Sequence, residues 1–238
     1  MGVGWPYMTS DVDELKRAAA ESAVTQVKDG MVVGLGSGST AALAVSALGR
    51  RVREGLRIAG IPTSERTAAQ ARALDIPLTT LGEHSQIDLT IDGADEAEAG
   101  SLNLIKGHGG ALLREKIVAS ASQRLVIVAD ESKLVDRLGQ RQSVPVEVNP
   151  FGWQVTARKL GALGANPVLR RGSDGEAFRS DGGHYILDCA FGPLDAAETL
   201  ANALDHVVGV VEHGLFIGMA SELRVAGGGG VRVLYRRA

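Results

Sequence analysis

The sequence predicts an α/β protein with an open, doubly wound parallel sheet and a smaller α+β layer in its C-terminal half. Apolar, strand-like runs alternate with helix-like segments from residue 31 to about residue 138, and short strands and turns follow from about residue 144. Glycine-rich or acidic loops follow several of the strands in the first part. Because open sheets of this kind bind ligands at the carboxyl ends of their strands, we expect the functional residues in these loops.

Composition supports a globular protein and excludes several classes. The chain has 238 residues, of which 45% are hydrophobic and 22% charged, enough apolar mass for a core. The net charge is −3 and the basic residues form no run longer than a pair, so no nucleic-acid partner is expected. Neither a membrane-spanning run nor a signal peptide is recognisable, and Cys189 is the single cysteine, so we expect a cytoplasmic protein without a membrane partner.

The first part of the chain reads as strand, turn and helix in succession. Ser10 and Asp13 resemble a capping box, which predicts a helix from about Asp11 to Lys28. After it we predict strands at residues 31–35, 56–61, 87–91 and 125–129, and helices at residues 40–54, 65–74 and 110–122.

The second part predicts the smaller layer. Strands are expected at residues 144–148, 167–171, 177–179 and 185–190, and helices at residues 154–163 and 194–204. The segment from Val207 onward reads as strands that return to the first domain. The predicted division is therefore 10–138 and 207–238 for the main domain, and 139–206 for the small α+β domain.

The loop from Gly34 to Thr40 joins a strand to a helix. Free backbone N–H groups and the positive end of the helix dipole favour a phosphate there, and Ser37, Ser39 and Thr40 add hydroxyl donors. Position 39 is serine where a dinucleotide fingerprint needs its third glycine, and no lysine makes it a Walker A loop. The alternative is a tight turn that only starts a helix.

An acidic loop and a lysine loop follow later strands. Asp92, Asp95 and Glu96 stand at the end of an apolar strand, where crowded acids can divide proton-transfer roles. A helix cap, a solvated turn or a metal site are the alternatives. Lys106 precedes a flexible loop and the helix that carries Glu115, so a cation and a base can act together. Glu115 taken alone would more often be a surface residue.

Other chemistries find little support. The five histidines show no metal-ligand spacing, so we expect no metal site. No nucleophile elbow is present, and Cys189 lies in a strand pattern far from the loops, as a small buried residue would. Lys133 follows another strand, and it is either a solvated lysine or a ligand contact.

Seven motifs in order along the chain resemble the A-type ribose-5-phosphate isomerases. They are Val33-Gly-Leu-Gly-Ser-Gly-Ser-Thr40, Ile61-Pro-Thr-Ser64, Asp88-Leu-Thr-Ile-Asp-Gly-Ala-Asp-Glu96, Lys106-Gly-His-Gly-Gly-Ala-Leu-Leu-Arg-Glu-Lys116, Val128-Ala-Asp-Glu-Ser-Lys133, Pro145-Val-Glu-Val148 and Gly209-Val-Val-Glu-His-Gly-Leu-Phe216. The resemblance implies a cofactor-free aldose–ketose isomerase that interconverts ribose 5-phosphate and ribulose 5-phosphate. It also implies a homodimer or homotetramer, and a Rossmann-like domain that carries a smaller ferredoxin-like one.

The resemblance also implies the site residues. Glu115 matches the catalytic base, Asp92 and Lys106 are expected to assist it, and Lys133 matches a further substrate-binding lysine. The substrate-binding loops fall on Ser37, Gly38, Ser39, Thr40, Asp92, Gly93, Ala94, Asp95, Lys106, Gly107, His108 and Gly109. His108 stands where many members have glycine, so a bulkier side chain is expected to enter or border the site.

A sugar-phosphate-binding sensor module without catalysis is the alternative function. Such a protein would keep the phosphate loop but need no base. It would also carry a helix-turn-helix, whereas only one helix is predicted before Met31.

Overall fold

The computed structural model describes residues 8–236, and this part of the chain contains six α-helices. Amphipathic, alanine-rich segments form most of them, and each buries its apolar side against a sheet. The helices are α1 (Met8–Val24), α2 (Ser39–Arg53), α3 (Glu65–Ala73), α4 (Leu112–Ser120), α5 (Trp153–Ala162) and α6 (Ala197–Asp205). None of them combines the length and the apolar composition that a bilayer-spanning helix needs.

Fourteen strands lie in the same described range and form three sheets. In chain order they are β1 (Val32–Leu35), β2 (Ala59–Pro62), β3 (Leu89–Asp92), β4 (Glu96–Glu98), β5 (Leu104–Ile105), β6 (Leu125–Asp130), β7 (Leu134–Val135), β8 (Val144–Val148), β9 (Asn166–Leu169), β10 (Tyr185–Ala190), β11 (Val210–His213), β12 (Leu215–Phe216), β13 (Glu222–Gly227) and β14 (Gly230–Tyr235).

The main sheet has the strand order β14-β13-β6-β3-β1-β2. All neighbours pair in parallel except β14, which runs antiparallel to β13 at one edge. The strand order reverses direction beside β1, since β2 lies on one side of it and β3 on the other. This topological switch point is where open α/β sheets bind ligands, and it lies between the ends of β1 and β3.

Both faces of the main sheet are covered, as a parallel sheet requires. Along β6, Val126 and Val128 belong to the apolar core beneath α1 and α2, whereas Leu125 and Ile127 belong to a second core beside α4 and the short strands. The near-continuous apolar run of β6 follows from burial on both sides. The predicted α/β class with a mainly parallel sheet is confirmed.

The small antiparallel sheet has the order β11-β8-β10-β9 and packs one face against α5 and α6. Its core contains Val146, Leu187, Leu160 and Leu204, all fully buried. Cys189 is buried in β10, as its strand pattern predicted.

Two element predictions are wrong in detail. Helix α1 already includes Ser10, so Ser10 cannot be its N-cap. The helix ends at Val24 instead of Lys28, because the N–H groups of Gln26 and Val27 donate to carbonyls three residues earlier, each at 3.1 Å, in a turn that leaves the helix. The predicted strand at 177–179 forms only single bridges, from Arg171 to Ala177 and from Arg179 to Tyr185.

The return of the C-terminal strands is also more complex than predicted. Strand β11 stays in the small sheet beside β8, and β12 pairs with β5 in a third sheet of order β12-β5-β4-β7 that the sequence did not predict. Only β13 and β14 return to the main sheet. The domain boundaries at residues 138 and 207 remain a prediction.

Candidate active site

The candidate site lies where β1 and β3 end side by side. The backbone N–H of Gly36 donates to the carbonyl oxygen of Ile91 at 3.0 Å, which joins the glycine loop to the acidic loop. A Cβ atom on residue 36 would lie 2.6 Å from the Cα atom of Asp92 and 2.3 Å from its Oδ1. Glycine is therefore needed at this position, because only a residue without a side chain allows the loops to meet.

Asp92 is the last residue of β3, and only 1% of it is exposed. Its Oδ1 accepts hydrogen bonds from the N–H groups of Ser37 at 3.0 Å and Gly93 at 2.7 Å, and its Oδ2 lies 3.0 Å from Nζ of Lys106. Burial raises the pKa of Asp92, while the charge of Lys106 and the N–H donors oppose that rise. The carboxyl group thus has fixed partners on both of its oxygens.

Lys106 follows β5 directly, and its ammonium group is buried between oxygen atoms. Nζ donates to the carbonyl oxygen of Gly93 at 2.6 Å and lies 3.3 Å from Oε1 of Glu115, in addition to its contact with Asp92. Burial alone would lower the pKa of Lys106, but the charges of Asp92 and Glu115 outweigh it, so this pKa is raised above its ordinary value. The lysine therefore keeps its positive charge at neutral pH.

Glu115 lies in the first turn of α4 and has one oxygen without a partner. Oε1 faces Lys106, whereas Oε2 is buried and accepts no hydrogen bond from any residue the structure describes. Burial, followed by the negative charge of Asp92, raises the pKa of Glu115 to about 8. A carboxyl group with a free oxygen and a pKa near neutrality has the properties of a general base.

Lys106 and Glu115 line a small cleft together with residues of the glycine loop and the acidic loop. The lining residues all belong to the set predicted from the sequence: Ser37, Gly38, Ser39, Thr40, Gly93, Ala94, Asp95, Lys106, Gly107, Gly109 and Glu115. One end of the cleft lies at the N-terminus of α2, where the free N–H groups of the helix favour the binding of an anion. The structure thus brings the three predicted loops together, and the role of each residue remains a prediction.

Ser37 uses its hydroxyl group away from the open cleft. Its Oγ lies 2.8 Å from the hydroxyl oxygens of Thr63 and Ser64 and 3.1 Å from that of Thr67. The Thr67 hydroxyl in turn donates to the carbonyl oxygen of Gly36 at 3.1 Å. This hydroxyl cluster fixes the glycine loop, and the motif Ile61-Pro-Thr-Ser64 supplies two of its members.

Three predicted residues do not line the cleft: Asp92, which contacts the lining residue Lys106, and His108 and Lys133. The ring Nε2 of His108 lies 3.1 Å from the carbonyl oxygen of Ser143, and its backbone N–H donates to Asp95 at 3.0 Å. The side chain expected to enter or border the site therefore lies against residue 143 instead. Lys133 ends a short 3-10 turn that follows β6, half-buried and outside the lining.

The third acid of the acidic loop is not part of the cleft. Glu96 is the first residue of β4 and is buried. Its carboxylate accepts hydrogen bonds from the N–H groups of Gly139, Arg141 and Gln142, in the segment after β7, at 2.6–2.8 Å. The expectation of three acids together at the strand end is thus corrected to Asp92 and Asp95. Glu96 instead holds a loop in place.

Sequence reasoning missed the contribution of residues beside the small antiparallel sheet. The guanidinium group of Arg170 donates to the carbonyl oxygens of Gly107 at 2.9 Å and His108 at 3.0 Å, and it pairs with Asp188. Phe178 packs so closely that a Cβ atom on Gly110 would lie 2.4 Å from its ring. No local pattern links these residues to a loop some 60 positions earlier in the chain.

A cluster of possible metal ligands lies outside the cleft. Ligand atoms of Asp205, Glu212 and His213 lie within 4.8 Å of one another. Nζ of Lys116 already donates to Glu212 at 2.6 Å, and Nε2 of His213 lies 3.1 Å from Asp205. Lys116 offsets the charge of Glu212, and none of these groups lines the cleft.

The fold and the site together define an α/β enzyme whose candidate site, two buried carboxyl groups beside a buried lysine, lies at the topological switch point of the sheet. The family model for ribose 5-phosphate isomerase A (phosphoriboisomerase A) matches residues 59–230. The chain therefore belongs to the ribose 5-phosphate isomerase A family, as the ordered motifs predicted.

Named relatives match nearly the whole chain. The ribose-5-phosphate isomerase A of Gloeobacter violaceus is 62% identical over 224 residues, which cover 94% of this chain and 97% of that protein. The ribose 5-phosphate isomerase A structure from Methanocaldococcus jannaschii has a TM-score of 0.91 and 42% identity, and covers 94% and 99% of the two chains. A further isomerase structure, in complex with phospho-erythronic acid, has a TM-score of 0.91 and 37% identity, with the same coverage.

Proposed function

We propose that the chain interconverts D-ribose 5-phosphate and D-ribulose 5-phosphate through a cis-enediolate, with Glu115 as the base. The observation that carries this mechanism is the buried Oε2 of Glu115, which faces no donor within residues 8–236 while Oε1 is held by Lys106. The isomerase activity is that of the family, and one relative of known structure holds a phosphorylated sugar acid.

The reaction moves two protons, the C2 proton to C1 and the O2 hydroxyl proton to O1, and leaves the carbon skeleton unchanged. Glu115 removes the proton from C2 of the open-chain aldose, and the electron pair of that C–H bond forms the C1–C2 double bond of the enediolate. The carbonyl electrons of C1 pass to its oxygen, which becomes negative. Glu115 then returns the proton to C1, Asp92 relays the O2 hydroxyl proton to O1, and the carbonyl re-forms at C2, which gives the ketose and leaves the enzyme unchanged.

Lys106 supplies the positive charge that this intermediate needs. Its ammonium group is 3% exposed, and it lies beside the carboxyl group that takes the proton. A fixed charge in a site without bulk water stabilises a developing oxyanion more strongly than the same charge in water. Asp92 relays protons at the ring oxygen and the carbonyl oxygens of the sugar, since its carboxyl group contacts the same ammonium group of Lys106.

The phosphate group is held at the N-terminus of α2. Gly38 precedes this helix with a φ of 94°, and no side chain caps it, so its first N–H groups are available to an anion. Ser39 and Thr40 line the cleft at this end. Lys133 is retained as a substrate contact only on the strength of the motif it matches.

The direct test is an isomerase assay on purified protein with ribose 5-phosphate, run with and without a chelator. We expect turnover in both conditions, and none with Glu115→Gln. Glu54→Gln, at an exposed position after α2, is the matched control and should keep full activity. Binding of ribose 5-phosphate without any turnover would instead favour a sensor module.

We further propose that copies of this chain associate as a homodimer or homotetramer in the cytoplasm. Phe151 is 94% and Val208 77% exposed, and the bond from Asn149 N–H to the Gly209 carbonyl at 2.9 Å brings their segments together. Apolar side chains gathered in this way favour a protein contact. Light scattering should report an oligomer, and Phe151→Ser with Val208→Ser should lower its mass; a monomer at all concentrations would contradict this.

A further inference from the structure

Phe216 contacts one lysine of the candidate site and one lysine of α4, the helix that carries Glu115. The residue is fully buried in β12, and its ring centroid is 5.5 Å from Nζ of Lys106 and 5.0 Å from Nζ of Lys116. Strand β12 pairs with β5 so that Phe216 lies opposite Leu104. Since alternate residues of a strand share a face, Lys106, two positions after Leu104, extends on the side of the ring.

The ring of Phe216 attracts the Lys106 ammonium without accepting a hydrogen bond from it. The three N–H groups of this ammonium face oxygens of Gly93, Asp92 and Glu115. The negative face of an aromatic ring attracts a cation without accepting a proton, and the attraction is strongest where water is absent. Phe216 therefore stabilises the charge of Lys106 without competing for its hydrogen bonds.

The second cation links the same ring to the Glu115 helix. Lys116 is the next residue of α4, and its Nζ donates to Oε1 of Glu212 and to the carbonyl oxygen of His213, both at 2.6 Å. His213 precedes β12 by two residues in the chain. The aromatic ring thus contacts the lysine that stabilises the oxyanion and the lysine that anchors α4.

We propose that Phe216 is a positioning residue for the isomerase reaction, which holds the Lys106 ammonium between Asp92 and Glu115 through the face of its ring. The inference rests on the function proposed for Lys106. Because Lys106 acts on charge that develops during the reaction, weakening the ring contact should lower kcat and leave KM almost unchanged.

The test replaces Phe216 with mono-, di- and trifluorinated phenylalanine, which keep the shape of the ring while removing negative charge from its face. We expect kcat to fall stepwise with each fluorine, to about one tenth with three, while KM stays within about twofold. The same replacements at Phe191, which packs against the core of the small sheet and makes no cation–ring contact within the part of the chain that the structure describes, are the control and should leave kcat unchanged.

Phe216→Leu and Lys106→Met complete the experiment. We expect Phe216→Leu to lower kcat at least as far as the trifluorinated ring, and Lys106→Met to lower it much further. A kcat that does not change along the fluorine series, in protein that unfolds at the normal temperature, would overturn the positioning role. Full activity of Lys106→Met would instead overturn the proposed function of Lys106, so the two failures are distinguishable.

Discussion

Nζ of Lys106 lies 3.3 Å from Oε1 of Glu115, and both side chains are at most 6% exposed. The pair divides the Glu115 carboxyl group into one oxygen that is held by a cation and one that is free to take a proton. Nζ of the same lysine also lies 3.0 Å from Oδ2 of Asp92, so one positive charge lies beside two carboxyl groups. Removing Lys106 would leave two buried carboxyl groups without a compensating charge, whereas removing one acid leaves the lysine paired with the other.

Glu115→Gln is expected to lower kcat by about 10²–10⁴ and to change KM little, because glutamine keeps the shape of the side chain but cannot take a proton. Steady-state kinetics with ribose 5-phosphate measure the effect. Retention of more than a tenth of the activity would assign the base elsewhere, with Asp92 as the next candidate.

The same variant should remain folded, which thermal unfolding can establish. Folding raises the pKa of Glu115 from its ordinary value of 4.5 to about 8, so ionisation of this group opposes folding as pH rises between those values. Glutamine removes that penalty. At pH 9 the variant should therefore unfold at the same or a higher temperature than the parent, and this difference should shrink toward pH 4.

The pH dependence of kcat/KM should report the ionisation of Glu115. The base works only when deprotonated, and its pKa is raised to about 8 by burial and by the charge of Asp92. Activity should therefore increase as pH rises from 6 to 9, with a midpoint near the pKa of Glu115 in the free enzyme. A profile that is flat across this range would show that the base already carries its charge at pH 6.

Gly36→Ala should damage both stability and activity. The added methyl group would lie 2.3 Å from Oδ1 of Asp92, and the nearby backbone leaves it no space. We expect a loss of several kcal/mol in the free energy of unfolding and a lower kcat, since Asp92 must move. Gly161→Ala in α5 is the control: nothing lies within 4 Å of the new atom, so that variant should gain about 0.5–1 kcal/mol.

Replacing Ser39 and Thr40 by alanine should weaken the binding of ribose 5-phosphate far more than the binding of unphosphorylated ribose. Both residues line the cleft at the N-terminus of α2, where the phosphate is proposed to bind. Ser46→Ala is the matched control on the same helix, because its hydroxyl donates to the carbonyl of Ala42 at 2.9 Å. Equal losses for both sugars would assign the two residues to the sugar end or to the fold.

The sequence predicted the main sheet and the content of the cleft because both depend on local patterns. Apolar runs followed by glycine-rich or acidic loops identify strand ends, and parallel strands bring those ends to one edge. Asp92, Lys106 and Glu115 are separated by 9 to 23 positions in the chain, yet each ends or follows a strand or begins a helix beside that edge. This topology explains why residues from three loops meet.

Local patterns did not predict the contacts that cross between domains or the direction of individual side chains. Arg170, the residue after β9, reaches the carbonyl of Gly107, and Phe216 belongs to a strand of two residues that is too short to show alternation. The hydroxyl of Ser37 turns away from the cleft because three other hydroxyl groups accept or donate to it. These features depend on packing between distant segments.

Isomerisation of ribose 5-phosphate in heavy water tests the central claim, that Glu115 transfers the proton through an enediolate. Mass spectrometry and proton NMR of the ribulose 5-phosphate formed early in the reaction should find deuterium at C1, because a proton held on Oε2 of Glu115 exchanges with solvent. Samples without enzyme, and with Glu115→Gln, should gain none over the same time. Product formed at full rate by the parent enzyme without any deuterium at C1 would contradict proton transfer and indicate a direct hydride shift between the two carbons.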